Sequence, residues 1–317
     1  MTDEAPQFTD CWFLTGATAT GKTRIALELA QRLGAEIVSL DSMALYRGMD
    51  IGTAKPTAAQ QAIVPHHLID VVDPQKEFSV AQYLDMARDT VAAIRAAGKQ
   101  PLFVGGTPLY LKALLRGMFE GPPANWELRR EVEEEVARVG APALHRHLQE
   151  VDPVAASTIH PNDTRRLIRA LEVYRATGRP ISHQQMEFDD GALAERRRVF
   201  VLLRDRDEQY GRINARVDEM LERGLVDEVR RLTADGRQLG RTASQAVGYR
   251  EVITHLAGEW DYETMVTKIK TRTRQFAKRQ GTWFRSLSEC RFVEIAGEPD
   301  AAALATQIAA AGAEIDA

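Results

Sequence analysis

Cysteine is scarce. Cys11 and Cys290 are the only two in 317 residues, and neither has a partner at metal-ligand spacing. That excludes a disulfide framework and a zinc finger and fits a reducing compartment. Long apolar runs are also lacking. The stretch Met1–Asp10 is acidic and polar, the apolar run at Cys11–Leu14 is short, and no uncharged run approaches the length that crosses a bilayer. A soluble, untargeted, cytoplasmic protein that makes no membrane contact is expected. Nor is there an excess of positive charge: 41 Lys and Arg stand against 45 Asp and Glu, a net charge of −4. A protein that coats nucleic acid indiscriminately would carry the opposite balance. No internal repeat or low-complexity segment occurs.

What is present is a chain 44% hydrophobic and 27% charged, enough for one large domain and a smaller one. Short β-branched or aromatic runs predict buried strands at Trp12–Thr15, Ile37–Leu40, Leu68–Val72, Leu102–Val104, Val199–Leu203 and Phe292–Ile295. Helical patterns lie between most of them, including Lys22–Leu33 and Val80–Ala97, the second after Ser79 as N-cap, then Asp207–Arg223 and Tyr262 to about Thr282. Strand and helix alternate as in an open parallel α/β sheet. The alternation breaks over 117–198, which is rich in Glu, Arg and Ala. The expected architecture is therefore a P-loop NTPase-like parallel sheet flanked by helices (1–116 and 199–317) with an all-helical insertion domain (117–198). Gly121–Pro123 and the charged run Glu195–Arg198 mark the insertion's ends.

Chemistry is concentrated at strand ends. Gly16-Ala17-Thr18-Ala19-Thr20-Gly21-Lys22-Thr23 matches G-x-x-x-x-G-K-[ST] in full, after a strand and opening a helix. Its glycines let successive amides point inward at phosphate oxygens, and the helix N-terminus adds its dipole. Lys22 contributes a mobile charge and Thr23 a hydroxyl for Mg²⁺. The motif grips a diphosphate or a triphosphate without distinguishing them. Two predicted strands finish in Asp41 and Asp73, each a candidate metal ligand or base, or only a turn residue. A glycine turn, Val104-Gly105-Gly106-Thr107, opens onto the same sheet edge and offers the Thr107 hydroxyl. From Lys268 to Arg285 there are seven basic residues and no acidic one. By itself such a block is the solvated face of a helix whose apolar side is Val266, Ile269 and Phe276.

Taken together, the segments GATATGKT (Gly16–Thr23), DSMALYRGMDIGTAKP (Asp41–Pro56), HHLIDVVDP (His66–Pro74), VGGTPLYLKAL (Val104–Leu114), HPNDTRRLIRALEVY (His160–Tyr174), VGYRE (Val247–Glu251) and TRQFAKRQGTWFR (Thr273–Arg285) resemble the tRNA dimethylallyltransferases, or tRNA isopentenyltransferases, over about Trp12–Arg285. The resemblance implies a bacterial form. Its activity would be transfer of a dimethylallyl group from dimethylallyl diphosphate to the amine of adenosine at position 37, beside the anticodon, with no nucleotide consumed. Gly16–Thr23 would then hold the diphosphate, with Mg²⁺ at Thr23. Asp41 would take the proton from the amine, Thr107 would position amine or donor, and Arg216 would meet the diphosphate from the other side. Contacts with the tRNA anticodon stem-loop are implied at Asp41, Ser42, Met43, Ala44, Leu45, Thr107, Arg129, Arg165, Arg166, Leu167, Ile168, Arg169, Gln245, Ala246, Val247, Gly248, Tyr249, Arg250, Lys278, Arg279 and Arg285. The protein is expected to act as a monomer. Relatives often have Pro and Ser at Ala17 and Thr20 and Gly at Pro108, changes that remove no chemical group. A P-loop kinase of a small molecule or nucleoside would share the motif and the sheet, but a small substrate needs neither Asp41–Pro56 nor the basic block. A guanine-nucleotide switch lacks support, since no Asn-Lys-x-Asp occurs.

Overall fold

The computed structural model describes residues 8–117, 126–185 and 197–315. Gly121–Pro123 and Glu195, proposed as marks of the insertion's ends, lie outside them. The chain divides into two compact units, Met1–Leu115 with Gly191–Ala317, and Arg116–Asp190.

The larger unit is built on six parallel strands, β1 (Trp12–Gly16), β2 (Ala35–Leu40), β3 (His66–His67), β4 (Gln100–Gly105), β5 (Arg198–Arg204) and β6 (Cys290–Ile295), in the order β3-β2-β4-β1-β5-β6. Every residue of β1 is buried, as expected of a central parallel strand covered on both faces. Among its helices, α1 (Lys22–Leu33) packs Ile25, Leu27 and Leu29 against Leu14, Ile37 and Leu202. Each such side chain, fully buried, is worth about 1.5–3 kcal/mol. The short α2 (Ala58–Ile63) and the longer α3 (Val80–Ala96) both begin with capping boxes, and Ser79 accepts from the Gln82 amide as its sequence position predicts.

The segment Leu68–Val72 is not a strand, contrary to its β-branched composition. Only His66 and His67 pair with β2; Leu68 and Asp70 then take left-handed backbone angles (φ 57° each). The amides of Asp70, Val71 and Val72 turn instead to the carbonyls of Ala44 and Leu45. Asp73 is accordingly no strand-end acid: its Oδ1 accepts from the Gln75 amide in a turn. Arg197 and Arg198, from the charged run read as the insertion's exit, are buried, and Arg198 opens β5 with its guanidinium donating to the carbonyls of Gly312 and Asp10.

After β4 comes α4 (Pro108–Arg116). The smaller unit contains α5 (Trp126–Val139), α6 (Ala141–Val151), α7 (Pro153–Thr158), α8 (Thr164–Thr177) and α9 (Ile181–Gln185), and among its described residues there is no strand. Val132, Leu144, Leu148, Leu167 and Leu171 form its core. Two buried acids organise it. Asp152 caps α7 through the Ala155 amide and accepts from Ser182, while Glu172 takes Arg129 and Arg169. The larger unit ends with α10 (Arg206–Glu222), α11 (Leu225–Leu232), α12 (Arg241–Ser244), α13 (Tyr249–Leu256), α14 (Tyr262–Arg285) and α15 (Ala301–Ala313).

Candidate active site

The carboxyl ends of β2, β4 and β1 lie side by side, the position at which open parallel sheets bind ligands. Gly16 closes β1 at φ 147°, and a Cβ there would stand 2.7 Å from the Leu202 carbonyl, so only glycine turns the chain here. The loop then bends through Ala19 (φ 64°) and Gly21 (φ 92°) into α1, with the Thr20 hydroxyl donating to the Ala17 carbonyl at 2.9 Å. Lys22 folds back over the loop and donates to the carbonyls of Gly16 (2.9 Å) and Ala17 (2.8 Å). Thr23 lies in the first turn of α1. Two helices brace the loop. From α10, Gln209 donates to the Thr18 carbonyl and Arg212 to the Ala19 carbonyl, while Ile213 packs on Ala17 and Ala19. From α14, Gln280 accepts from the Thr18 amide at 2.9 Å.

Asp41 follows β2. Its Oδ1 accepts from the amides of Met43 (2.8 Å) and Ala44 (3.4 Å), and among the described residues Oδ2 makes no hydrogen bond. Thr107, after β4, reaches the neighbouring residue: its Oγ1 accepts from the Ser42 amide at 3.0 Å and lies 3.4 Å from the Ser42 hydroxyl. β4 comes this close because Gly105 lacks a side chain, since a Cβ there would fall 2.1 Å from the Leu40 carbonyl oxygen. Behind Asp41, Tyr83 and Tyr110 stack with ring centroids 4.0 Å apart, and both phenols are pushed upward, chiefly by burial.

Arg216 projects from α10 one turn beyond Arg212 and Ile213. Its electrostatic reach identifies its surroundings. Lys22 is held down at about 8, first by burial and then by Arg216, with Asp41 opposing both. Burial also lowers Arg216, with Glu219 and Asp41 opposing and Arg212 and Arg223 adding to the shift. Two cations and one carboxylate thus act on one another at the mouth of the phosphate loop, an arrangement that receives an anion beside a base. Among the described residues no group of three His, Cys, Asp or Glu could hold a metal ion. Thr23 and Asp41 offer oxygen donors of the kind a hard cation such as Mg²⁺ takes together with water and substrate phosphates.

The segment after Asp41 owes its shape to residues that local reading missed. Lys55 is nearly enclosed and donates to the Tyr46 carbonyl (2.9 Å), Asp50 (2.6 Å) and Asp70 (2.6 Å). Glu228, buried on α11, accepts from the amides of Asp50 (3.0 Å), Ile51 (2.8 Å) and Gly52 (3.3 Å) and from the Tyr249 hydroxyl (2.5 Å). A readable signal existed. Glu228 stands between Leu225 and Val229 on the buried face of its helix, and Gln280 between Ala277 and Phe284 on that of α14.

The positions expected to meet RNA fall into four groups. Arg165, Arg166, Gln245, Arg250, Lys278, Arg279 and Arg285 are exposed, although Arg166 pairs with Asp163 at 3.0 Å. Ser42, Met43, Val247 and Thr107 are half-buried. Ala44, Leu45, Leu167, Ile168, Ala246, Gly248 and Tyr249 are buried and present little or no surface to RNA. Arg129 and Arg169 are occupied by the buried Glu172. On α14 the apolar side is Met265, Ile269, Ala277 and Phe284; Phe276, expected there, is exposed.

Against known proteins, residues 44–287 match the family model described as IPP transferase. The tRNA dimethylallyltransferase of Rhodopirellula baltica is 50% identical over 295 residues, covering 90% of this chain and 88% of its own length. That of Thermotoga maritima is 47% identical over 274 residues, covering 86% and 88%. Among solved structures, a tRNA isopentenylpyrophosphate transferase from Bacillus halodurans superposes with TM-score 0.69 at 38% identity, covering 96% of this chain and 97% of that one. A eukaryotic dimethylallyltransferase acting on tRNA gives TM-score 0.72 at 26% identity, over 90% of this chain and 73% of that one.

Proposed function

The chain belongs to the IPP transferase family, and from that premise we propose that it transfers a dimethylallyl group from dimethylallyl diphosphate to the exocyclic amine of the adenosine beside the anticodon of tRNA, releasing diphosphate. It is a prenyltransferase enzyme. The observation that carries the assignment of roles is the placement of Lys22, Arg216 and Asp41 around the mouth of a phosphate loop.

The allylic carbon tolerates positive charge, so the donor's C–O bond loosens as the departing diphosphate is neutralised. Amides of the Gly16–Thr23 loop other than that of Thr18, the Lys22 ammonium and the Arg216 guanidinium supply that neutralisation. Mg²⁺, held through Thr23 and the donor's own phosphates, would add to it. The adenine amine is a poor nucleophile. As its new C–N bond forms, Asp41 takes the N–H proton through the oxygen that Met43 and Ala44 leave unoccupied. Thr107 keeps Ser42, and through it Asp41, in register with the loop. The base must leave its stack to arrive there, a cost of about a few kcal/mol that a single-stranded loop keeps small. Exposed Arg165, Arg166, Lys278, Arg279 and Arg285 are assigned to tRNA phosphates. The reaction is assigned to the cytoplasm, where tRNA works; among the described residues no helix is long and apolar enough to cross a membrane.

One assay tests this reading. Protein, Mg²⁺ and tRNA are incubated with labelled dimethylallyl diphosphate or with labelled ATP; label from the first entering RNA supports it, and label from the second transferred to any acceptor supports a kinase. Asp41→Asn should lower single-turnover transfer by about two to four powers of ten with tRNA affinity nearly unchanged. Equal rates would remove Asp41 as base, and joint loss of binding and rate would make it a positioning residue.

A further inference from the structure

We infer that Gln280 is a positioning residue, which bridges the phosphate loop after β1 to the turn after β4 and so, through Thr107 and Ser42, holds that loop in register with Asp41. Gln280 is buried at 4% exposure on α14, between the exposed Arg279 and the half-buried Gly281. Oε1 accepts from the Thr18 amide at 2.9 Å and Nε2 donates to the Gly106 carbonyl at 2.5 Å. One partner is an N–H and the other a carbonyl, so the two ends of the amide are not interchangeable. The fit is close on both sides: a Cβ on Gly106 would stand 2.8 Å from the Gln280 Nε2 and 3.1 Å from the Gly16 carbonyl.

The bridge completes a continuous chain of contacts. Thr18, in the loop that receives diphosphate, is bonded to Gln280; Gln280 is bonded to Gly106; the next residue, Thr107, is bonded to Ser42; and Ser42 adjoins Asp41. Every other brace on the loop, from Gln209, Arg212 and Lys22, acts on its carbonyls, whereas Gln280 takes an amide. Without it the Thr18 amide and the Gly106 carbonyl lose their partner together; the Thr15 hydroxyl also ties β1 to the Gly105 carbonyl at 2.8 Å, but that bond does not reach the phosphate loop. A displacement of about 1 Å between electrophile and base lowers a transfer rate by about a hundredfold while leaving each ligand bound.

The catalytic arm of this inference rests on the transfer reaction proposed above, and a second arm does not. Gln280→Ala should lower single-turnover transfer at saturating substrates by roughly ten- to a hundredfold, with donor and tRNA dissociation constants within about threefold of wild type. Gln280→Glu is nearly isosteric and separates geometry from folding. As a neutral acid it accepts from Thr18 and donates to Gly106; once ionised it can only accept, and its second oxygen faces the Gly106 carbonyl. The ratio of its rate to wild type should therefore rise as pH is lowered from 8 to 6. In the second arm, hydrogen exchange is followed in the substrate-free proteins on the peptide spanning Ala17–Lys22. It should quicken by about tenfold or more in Gln280→Ala, and in Gln280→Glu at pH 8 but not at pH 6 after correction for intrinsic exchange. Unchanged exchange in Gln280→Ala, a pH-independent ratio for Gln280→Glu, or loss of tRNA binding in parallel with rate would each overturn the inference. If wild type itself transfers no dimethylallyl group, the proposed function fails and the exchange arm still decides on Gln280.

Discussion

Lys22 allows the diphosphate site to be interrogated by pH alone. Burial and Arg216 hold its ammonium at about 8 in the free protein. A bound diphosphate replaces lost solvation with negative charge and so favours the charged form. Binding therefore raises the Lys22 value and takes up a proton wherever the free side chain has lost one. With a value of 8, about a tenth of the free protein is neutral at Lys22 at pH 7, about half at pH 8 and about nine tenths at pH 9. If only the ammonium holds the donor, the apparent dissociation constant rises about tenfold between pH 7 and pH 9, or about 1.4 kcal/mol. The donor's own last ionisation, near 6 for a phosphate ester, is over before this window opens. The assay is titration calorimetry with dimethylallyl diphosphate and Mg²⁺, without tRNA, in buffers of different ionisation enthalpy. Proton uptake should climb from near zero at pH 7 towards one at pH 9. Lys22→Met should bind weakly at pH 7 and show no alkaline limb. Arg216→Ala should move the limb to higher pH, because Arg216 now pushes Lys22 down. A dissociation constant flat from pH 7 to pH 9 in wild type, with no proton uptake, would refute the placement of the diphosphate on Lys22.

Other consequences are checked independently. Glu228→Gln keeps one acceptor oxygen and turns an NH₂ towards donors among Asp50, Ile51, Gly52 and Tyr249, so urea unfolding should show a loss of about 2–4 kcal/mol; less than about 1 kcal/mol would mean that the loop 50–52 finds other partners. Arg129→Ala removes a guanidinium from the buried Glu172, 1% exposed, and should destabilise the helical unit by about 3 kcal/mol, measured as a lower urea midpoint for that unit's fluorescence or exchange. Because Lys278 and Arg279 are exposed on α14, replacing both by Ala should weaken tRNA binding and flatten its log–log salt dependence by about one to two units, with donor affinity nearly intact. An unchanged slope would return this block to a solvated helix face.

What could be read from the chain depended on whether the partners of a group were near it in sequence. The strands at Trp12, Ile37, Leu102, Val199 and Phe292, the bounds of α1 and the Ser79 cap were all legible, because period, propensity and capping are local, although the strand at Phe292 is an edge strand with only Ile295 buried and not the buried strand expected. The phosphate loop, Asp41 and Thr107 were legible for a related reason: strand ends in a parallel sheet converge on one edge whatever the rest of the fold does. Leu68–Val72 misled because its amides are claimed by Ala44 and Leu45, and composition carries no record of that claim. Arg216 came only through the family resemblance. The residues around it on α10 have an ordinary polar helical pattern, and its meaning lies in Lys22 and Asp41 on other elements.

Gln280 and Glu228 show why such residues are invisible locally and yet not unconstrained. Gln280 bonds to a loop 262 residues away, and Glu228 to amides 176 to 178 residues away. A carboxylate or carboxamide on the buried stripe of a helix is costly unless it is met by matching groups. Those groups must belong to backbone that no sheet or helix has already satisfied, since regular structure consumes its own amides. The amides of Asp50, Ile51 and Gly52 belong to no named helix or strand, and Thr18 lies in the loop between β1 and α1. Gly52 is further pinned by close packing, since a Cβ there would lie 2.4 Å from the Tyr249 ring. The irregular segments that carry the chemistry are thus held in place by isolated polar residues on otherwise apolar helix faces. Shape at the site is accordingly specified from α11 and α14, at a distance along the chain, rather than by the loops themselves.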